Sequence, residues 1–191
     1  MTTIESRPVR RIARAVVRRW PAALGFALGA DVFLAEVTDA TTHGYARLLM
    51  LMPLLYVVLA VLRRRRASWP VLGVLGGLFV LLRVQDLVEP AVVILAAALG
   101  ATVWGAGHGL HREPDFRLQL AGMAGFAALA VVGLAVHPDL GRYLVAAGML
   151  AHGIWDFVHM AKERTVSRSY AEWCGVLDVT VAAGLVVVPL L

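Results

Sequence analysis

The 191-residue sequence holds one cysteine and one lysine. A lone cysteine, Cys174, excludes an internal disulfide and a cysteine-based zinc cluster. The lone lysine, Lys162, lies in a polar stretch between apolar blocks, so no intramembrane amine is available for a retinal Schiff base. Neither a Gly-rich phosphate loop nor a zincin motif is present. Charge is scarce as well. Charged residues make up 16% and hydrophobic residues 60%, which leaves too little polar surface for a soluble domain of this length.

What the sequence has instead is apolar length. The hydrophobic residues fall in blocks of about 17–22, the length a helix needs to cross a hydrocarbon core of ~30 Å. The blocks predict membrane helices over 20–38, 46–62, 69–85, 91–107, 118–136, 141–160 and 170–190. Polar or helix-breaking segments separate them: the four-arginine run from Arg63 to Arg66, Glu89-Pro90, His111 to Arg117, His137 to Arg142, and Lys162 to Ser169. Pro90 suits a first helical turn, whereas Pro53, inside the second block, removes a backbone bond and predicts a kink. The fold class is therefore all-α: a polytopic membrane bundle of about seven transmembrane helices, with a basic segment at 1–19 and a single bundle at 20–191.

The 18 basic residues sort by side. Fifteen precede the first block or lie in the segments around 63–66, 112–117 and 162–168, and only Arg47, Arg83 and Arg142 lie on the other side. An excess of Lys and Arg marks the cytoplasmic face, so the N-terminus is expected there. All five tryptophans fall toward the same face, where an indole sits well at headgroup level. The net charge of +5 then reads as a topology signal and not as a nucleic-acid surface. Basic residues followed by Pro21 to Ala30 also resemble a signal peptide. The apolar stretch resumes at Val32, which favours a retained first helix. Gly25/Gly29, Gly73/Gly77, Ala96/Gly100, Ala121/Gly125 and Ala147/Ala151 are small-xxx-small pairs suited to close helix packing.

An ionisable side chain deep in a bilayer costs a few kcal/mol and normally faces a partner inside the bundle. By position along the predicted helices, Asp31, His152, Asp156 and Asp178 qualify, and their similar depths predict one cluster on three helices. On the other face of the membrane, the charged residues read mainly as solvated turns; the alternative is ion pairing of Arg47 with Glu36, and of Arg83 with Asp86 or Glu89, at the rim of an outward-facing cavity.

The segment from Ala151 to Met160 is the most specific. His152, Asp156 and His159 stand at i, i+4 and i+7, on one helix face. The pair His152/Asp156 has the spacing to share a proton or to bind one ion, while His159 lies about 10 Å further along the axis. A second helix must then contribute, through Asp178 or through His108 and His111. Three uses remain open: a structural hydrogen-bond network, proton or acid–base chemistry, and ligation of a divalent metal or haem. Cys174, one turn before Asp178, is expected to pack as a small residue.

The C-terminal third resembles a group of small, mostly uncharacterised bacterial multi-pass membrane proteins that carry His-x-x-Trp-Asp-x-x-His, a polar basic loop, then Tyr-x-Glu-x-Cys and an Asp within the last helix. Here the matching residues are His152, Trp155, Asp156 and His159, then Tyr170, Glu172, Cys174 and Asp178. The group often has a second histidine where this chain has Met160. The resemblance implies a bacterial cytoplasmic membrane and a constellation that works as a unit, without implying an activity.

The function expected from these residues is that of a membrane-embedded enzyme acting on a lipid or isoprenoid-like substrate, in a cavity open to the inner leaflet. His152, Asp156 and Asp178 are its candidate catalytic residues, and His108, His111 and His159 are candidate metal ligands. A proton-coupled or small-solute carrier and a non-catalytic subunit of a membrane complex are the alternatives.

Overall fold

The computed structural model describes residues 17–34, 36–85 and 87–191. Most of the basic N-terminal segment, including Arg7 to Arg14, and Asp86 lie outside the described residues. Among the described residues, seven α-helices of ten residues or more follow one another: α1 (Trp20–Gly29), α2 (Asp39–Leu62), α3 (Ser68–Gln85), α4 (Pro90–Gly107), α5 (Pro114–Ala135), α6 (Pro138–Lys162) and α7 (Arg168–Val187). The described residues contain no strand. The protein is an all-α bundle in which α2 to α7 are long and apolar enough to cross a membrane.

The helices start where local chemistry satisfies the free N–H groups of a first turn. A capping box begins α2, with Thr41 N donating to Thr38 Oγ1 at 3.2 Å and Thr38 N to Thr41 Oγ1 at 3.4 Å. Proline occupies the first turn of α4, α5 and α6. These caps place the starts of α2, α5 and α6 earlier than apolar content alone predicts, because a polar first turn is still helix. At the other end, α2 and α6 stop at residues in the left-handed region, Arg63 (φ 54°) and Glu163 (φ 49°).

The first segment differs from expectation. It runs as ten α-helical residues and a four-residue 3-10 turn, Ala30–Phe33, and does not continue to residue 38. Fourteen residues rise about 21 Å, short of a full hydrocarbon core. It is nonetheless firmly seated. A Cβ on Gly25 would lie 2.2 Å from the Trp173 carbonyl oxygen, and one on Gly29 would lie 2.9 Å from that of Leu177. The Gly25/Gly29 pair thus lets the backbone of α1 lie directly on α7.

Around this pair, α2 is the most enclosed helix, with Leu49, Met50, Leu54, Leu55, Tyr56 and Val57 all buried. It contacts α3, α4, α5 and α6. By contrast α3 buries only Ser68 and Phe79; Trp69, Val71, Leu72 and Leu75 pack partly against the core, and Val74, Leu78, Val80, Leu81 and Val84 face outward, toward lipid. A Cβ on Gly73 or Gly77 would meet no atom of another element within 4 Å among the described residues, so this small-residue pair packs against none of them.

Cross-element ion pairs show which ends lie together. Arg19 reaches Glu172 at 2.8 Å, Arg63 pairs with Glu113, Arg164 reaches Asp115 at 3.3 Å and Arg168 reaches Glu163 at 3.5 Å. These contacts bring the described basic segments to one end of the bundle. At the opposite end Arg47 grips Glu89 through two bonds, of 2.6 and 3.3 Å. Glu89, and not Glu36, is therefore the partner of Arg47. The Arg47 hydrogen bond holds the Glu89 carboxyl below its ordinary value of 4.5.

Candidate functional site

The site is built on the facing surfaces of α6 and α7. Each supplies two polar residues one turn apart, His152 and Asp156 on α6 and Cys174 and Asp178 on α7. The two helices come close because glycine faces glycine across their contact. A Cβ on Gly153 would stand 3.1 Å from the Gly175 carbonyl oxygen and 3.3 Å from the Asp178 Cβ. One on Gly175 would stand 3.2 Å from the Asp156 Cβ. Removing both side chains at this crossing is what lets the polar residues on either side meet.

His152 Nδ1 lies 2.7 Å from Asp178 Oδ2 and 3.4 Å from Asp156 Oδ2, and none of the three side chains has any exposed surface. A carboxylate oxygen only accepts, so His152 Nδ1 carries the hydrogen and donates it to Asp178. From α2, the Tyr56 hydroxyl donates to Asp156 Oδ1. The rings of Tyr56 and Phe126 stand edge-on to the His152 ring, with centroids 5.9 and 4.9 Å away. Cys174 is fully buried in the same group.

Several polar atoms there are buried without a hydrogen-bond partner: His152 Nε2, Asp156 Oδ2, Asp178 Oδ1 and the Tyr170 hydroxyl. Leaving a buried polar atom unpaired costs about 1–3 kcal/mol, so so many together mark a place not arranged for stability alone. Charge points the same way. Among the described residues, His152 is the one cationic partner of either carboxylate. Even with His152 protonated, two ionised carboxylates beside it would leave a net negative charge, so in so apolar a setting the cluster would call for a further proton or a cation.

The residues singled out from sequence divide clearly. His152, Asp156 and Asp178 come together as expected, and Cys174, buried in the core, lies within reach of them. Asp31 does not join them. It is exposed in the 3-10 turn after α1, because that helix ends at Phe33 and places Asp31 near its end, not at mid-depth. His108 and His111 are exposed at the end of α4, their Nδ1 atoms bound to the carbonyls of Trp104 (2.8 Å) and Ala106 (3.2 Å). His159 is buried beside the cluster with both nitrogens engaged. Its Nδ1 donates to the Trp155 carbonyl at 2.9 Å, so its Nε2 accepts from Gln119 Nε2 at 3.1 Å. Among the described residues, the His, Cys, Asp and Glu donors that lie close enough to share an ion are His152, Asp156, Cys174 and Asp178.

Tyr56 and Gln119 were not picked out from the sequence, and Tyr170 entered only through the resemblance. Each is a hydrogen-bonding side chain inside an apolar block, which is the one signal that would have flagged them.

Comparison with known proteins returns no matching family model, no matching curated protein and no matching solved structure. The reading of the site rests on its own geometry.

Proposed function

We propose that this chain is a membrane-embedded enzyme acting on a lipid or isoprenoid-like substrate, with His152, Asp156 and Asp178 as its reaction centre. The observation that carries this reading is the sealed His152–Asp178 contact of 2.7 Å beside a second, Tyr-held carboxylate, with lone pairs left over on both acids. Such a centre retains polar groups at a cost to stability, which is characteristic of functional sites in the bilayer.

The substrate class is supported by an apolar groove of about 400 Å³ on the same helix pair, α6 and α7, lined by Tyr143, Ala147, Leu150, Val179, Ala183 and Val186. The groove lies on the side of the cluster away from the arginine-rich end, so an aliphatic chain would approach from that leaflet and not from the inner one. On this reading the chain sits in a bacterial cytoplasmic membrane with its arginine-rich end toward the cytoplasm, an orientation that the charge asymmetry supports.

The test is a mass-spectrometric profile of membrane lipids from a host expressing the chain and from the same host without it. A lipid consumed or formed only with the chain supports the reading, and identical profiles count against it.

One observation favours a proton-coupled carrier as a second reading. A cavity of about 340 Å³ opens at the arginine-rich end, lined in part by Arg63, Glu113 and Thr165. From it Gln119 bonds Thr165 at 3.4 Å and His159 at 3.1 Å, and the His159 ring packs against Tyr56, which donates to Asp156. This polar line from cavity to cluster is the kind of route a proton follows. Proteoliposomes that acidify or alkalinise with a solute gradient would favour it over the enzyme.

A further inference from the structure

The unpaired atoms of the cluster have a remedy. A divalent cation would accept lone pairs from carboxylate atoms that have no hydrogen-bond partner, Asp156 Oδ2 and Asp178 Oδ1. The donors are already convergent: one atom each from His152, Asp156, Cys174 and Asp178 all lie within 4.8 Å of one another. All four side chains are buried.

Their arrangement matches a four-ligand shell, two i, i+4 pairs facing each other across the Gly153/Gly175 crossing. Around a tetrahedral ion with bonds of about 2.0–2.3 Å, ligand atoms sit about 3.3–3.8 Å apart. His152 Nδ1 and Asp156 Oδ2 have that spacing, at 3.4 Å. The His152–Asp178 bond of 2.7 Å would open by about 0.6 Å to reach it. On binding, the His152 Nδ1 hydrogen and the Cys174 thiol hydrogen would both be released as protons, since a ligating nitrogen presents its lone pair and a ligating sulfur is a thiolate. The donor set of one nitrogen, two oxygens and one sulfur suits a borderline ion of the zinc type. It offers too few oxygens for calcium or magnesium. Tyr56, donating to Asp156, supplies the outer hydrogen bond that orients a ligating carboxylate.

We propose that His152, Asp156, Cys174 and Asp178 form an intramembrane site for one divalent transition-metal ion of the zinc type. The site names the chemistry of the reaction centre proposed above and rests on that reading. The ion would act there as a Lewis acid in a water-poor setting.

The experiment uses the full chain, purified in detergent through a tag that contains no histidine and without chelator. Metal content is measured by plasma mass spectrometry, then the stripped protein is reloaded with Co²⁺ and its absorption recorded. The expected result is about one zinc-type ion per chain in the wild type, or one Co²⁺ after reloading, with a sulfur-to-cobalt charge-transfer band in the near ultraviolet. Cys174→Ser keeps the ion and loses that band, a conservative change that needs no large repacking. Asp156→Asn and Asp178→Asn bind at least tenfold more weakly, while the double variant His108→Ala, His111→Ala loads like wild type. Monodisperse wild type that takes up neither Zn²⁺ nor Co²⁺ overturns the proposal, as does loading unchanged in Asp178→Asn. Metal content is read with no substrate present. An empty folded protein therefore removes the metal alone, and the lipid profile separately decides the enzyme.

Discussion

His152 donates its Nδ1 hydrogen to Asp178 Oδ2 over 2.7 Å, linking α6 to α7 with neither side chain exposed. Removing one member of such a pair leaves the other unpaired in a medium that solvates it poorly. Asp178→Ala is therefore expected to lower the unfolding free energy by about 3–5 kcal/mol. Asp178→Asn keeps an acceptor oxygen and should cost clearly less. Unfolding in mixed detergent, followed by tryptophan fluorescence, measures both, and equal losses in the two variants would refute this account of the pair.

Tyr56 reaches the cluster from a third helix, where its hydroxyl donates to Asp156 Oδ1. Tyr56→Phe keeps the ring and removes that donor, leaving a buried carboxylate oxygen without its partner. A loss of about 1–3 kcal/mol is expected, with the helical content unchanged by circular dichroism. A variant as stable as wild type would show that Asp156 does not depend on Tyr56.

Backbone contact makes two glycines unequal. Gly25→Ala would drive a methyl group to within 2.2 Å of the Trp173 carbonyl oxygen, and the opposing atom is backbone that cannot swing aside. A loss of about 1–3 kcal/mol and separation of α1 from α7 are expected. Gly73→Ala meets no atom of another element within 4 Å among the described residues and should be neutral or slightly stabilising through better helix propensity. Disulfide trapping between α1 and α7 would report the separation, and equal behaviour of the two variants would contradict it.

At the opposite end from the arginines, Arg47 lowers the pKa of Glu89 from 4.5. A carboxyl whose folded value lies below its unfolded one stabilises the fold at pH above the unfolded value. The contribution is lost as pH falls through the folded value. The contact between the start of α2 and the start of α4 should therefore loosen only below about pH 4.5, where Glu89 begins to take up its proton. Melting temperature against pH, compared between wild type and Glu89→Gln, tests this. The variant should lack that part of the acid-side decline.

Side-specific labelling tests the orientation. Cys174 is fully buried and should stay unlabelled by a membrane-impermeant maleimide, which makes the native chain its own blank. Arg66→Cys is expected to be protected in intact cells and labelled in inverted vesicles, and Glu36→Cys the reverse. The opposite pattern would invert the topology.

The sequence announced the bundle because apolar blocks of membrane-crossing length are a local property. It announced His152, Asp156 and Asp178 because depth along a helix follows from counting residues. Asp31 failed by the same arithmetic, since the count assumed a first helix reaching residue 38 and the chain turns at Phe33. Tyr56 and Gln119 were silent because their partners are distant in sequence, 100 residues from Tyr56 to Asp156 and 40 from Gln119 to His159. No spacing rule covers such contacts. The place of Cys174 beside the cluster was silent for a related reason: its neighbours come from another helix, and only the Gly153/Gly175 crossing puts them within reach. The Arg47 partner was misassigned because Glu36 is closer in sequence, whereas Glu89 is brought to it by the approach of α4.

The most direct measurement compares lipid profiles of hosts that carry wild type and Asp178→Asn at equal membrane abundance. If the buried cluster is the reaction centre, the variant's profile matches that of cells without the chain, although the protein is inserted and folded. A profile indistinguishable from wild type, with a substrate already seen to be converted, would contradict that role and leave the cluster as an element of packing.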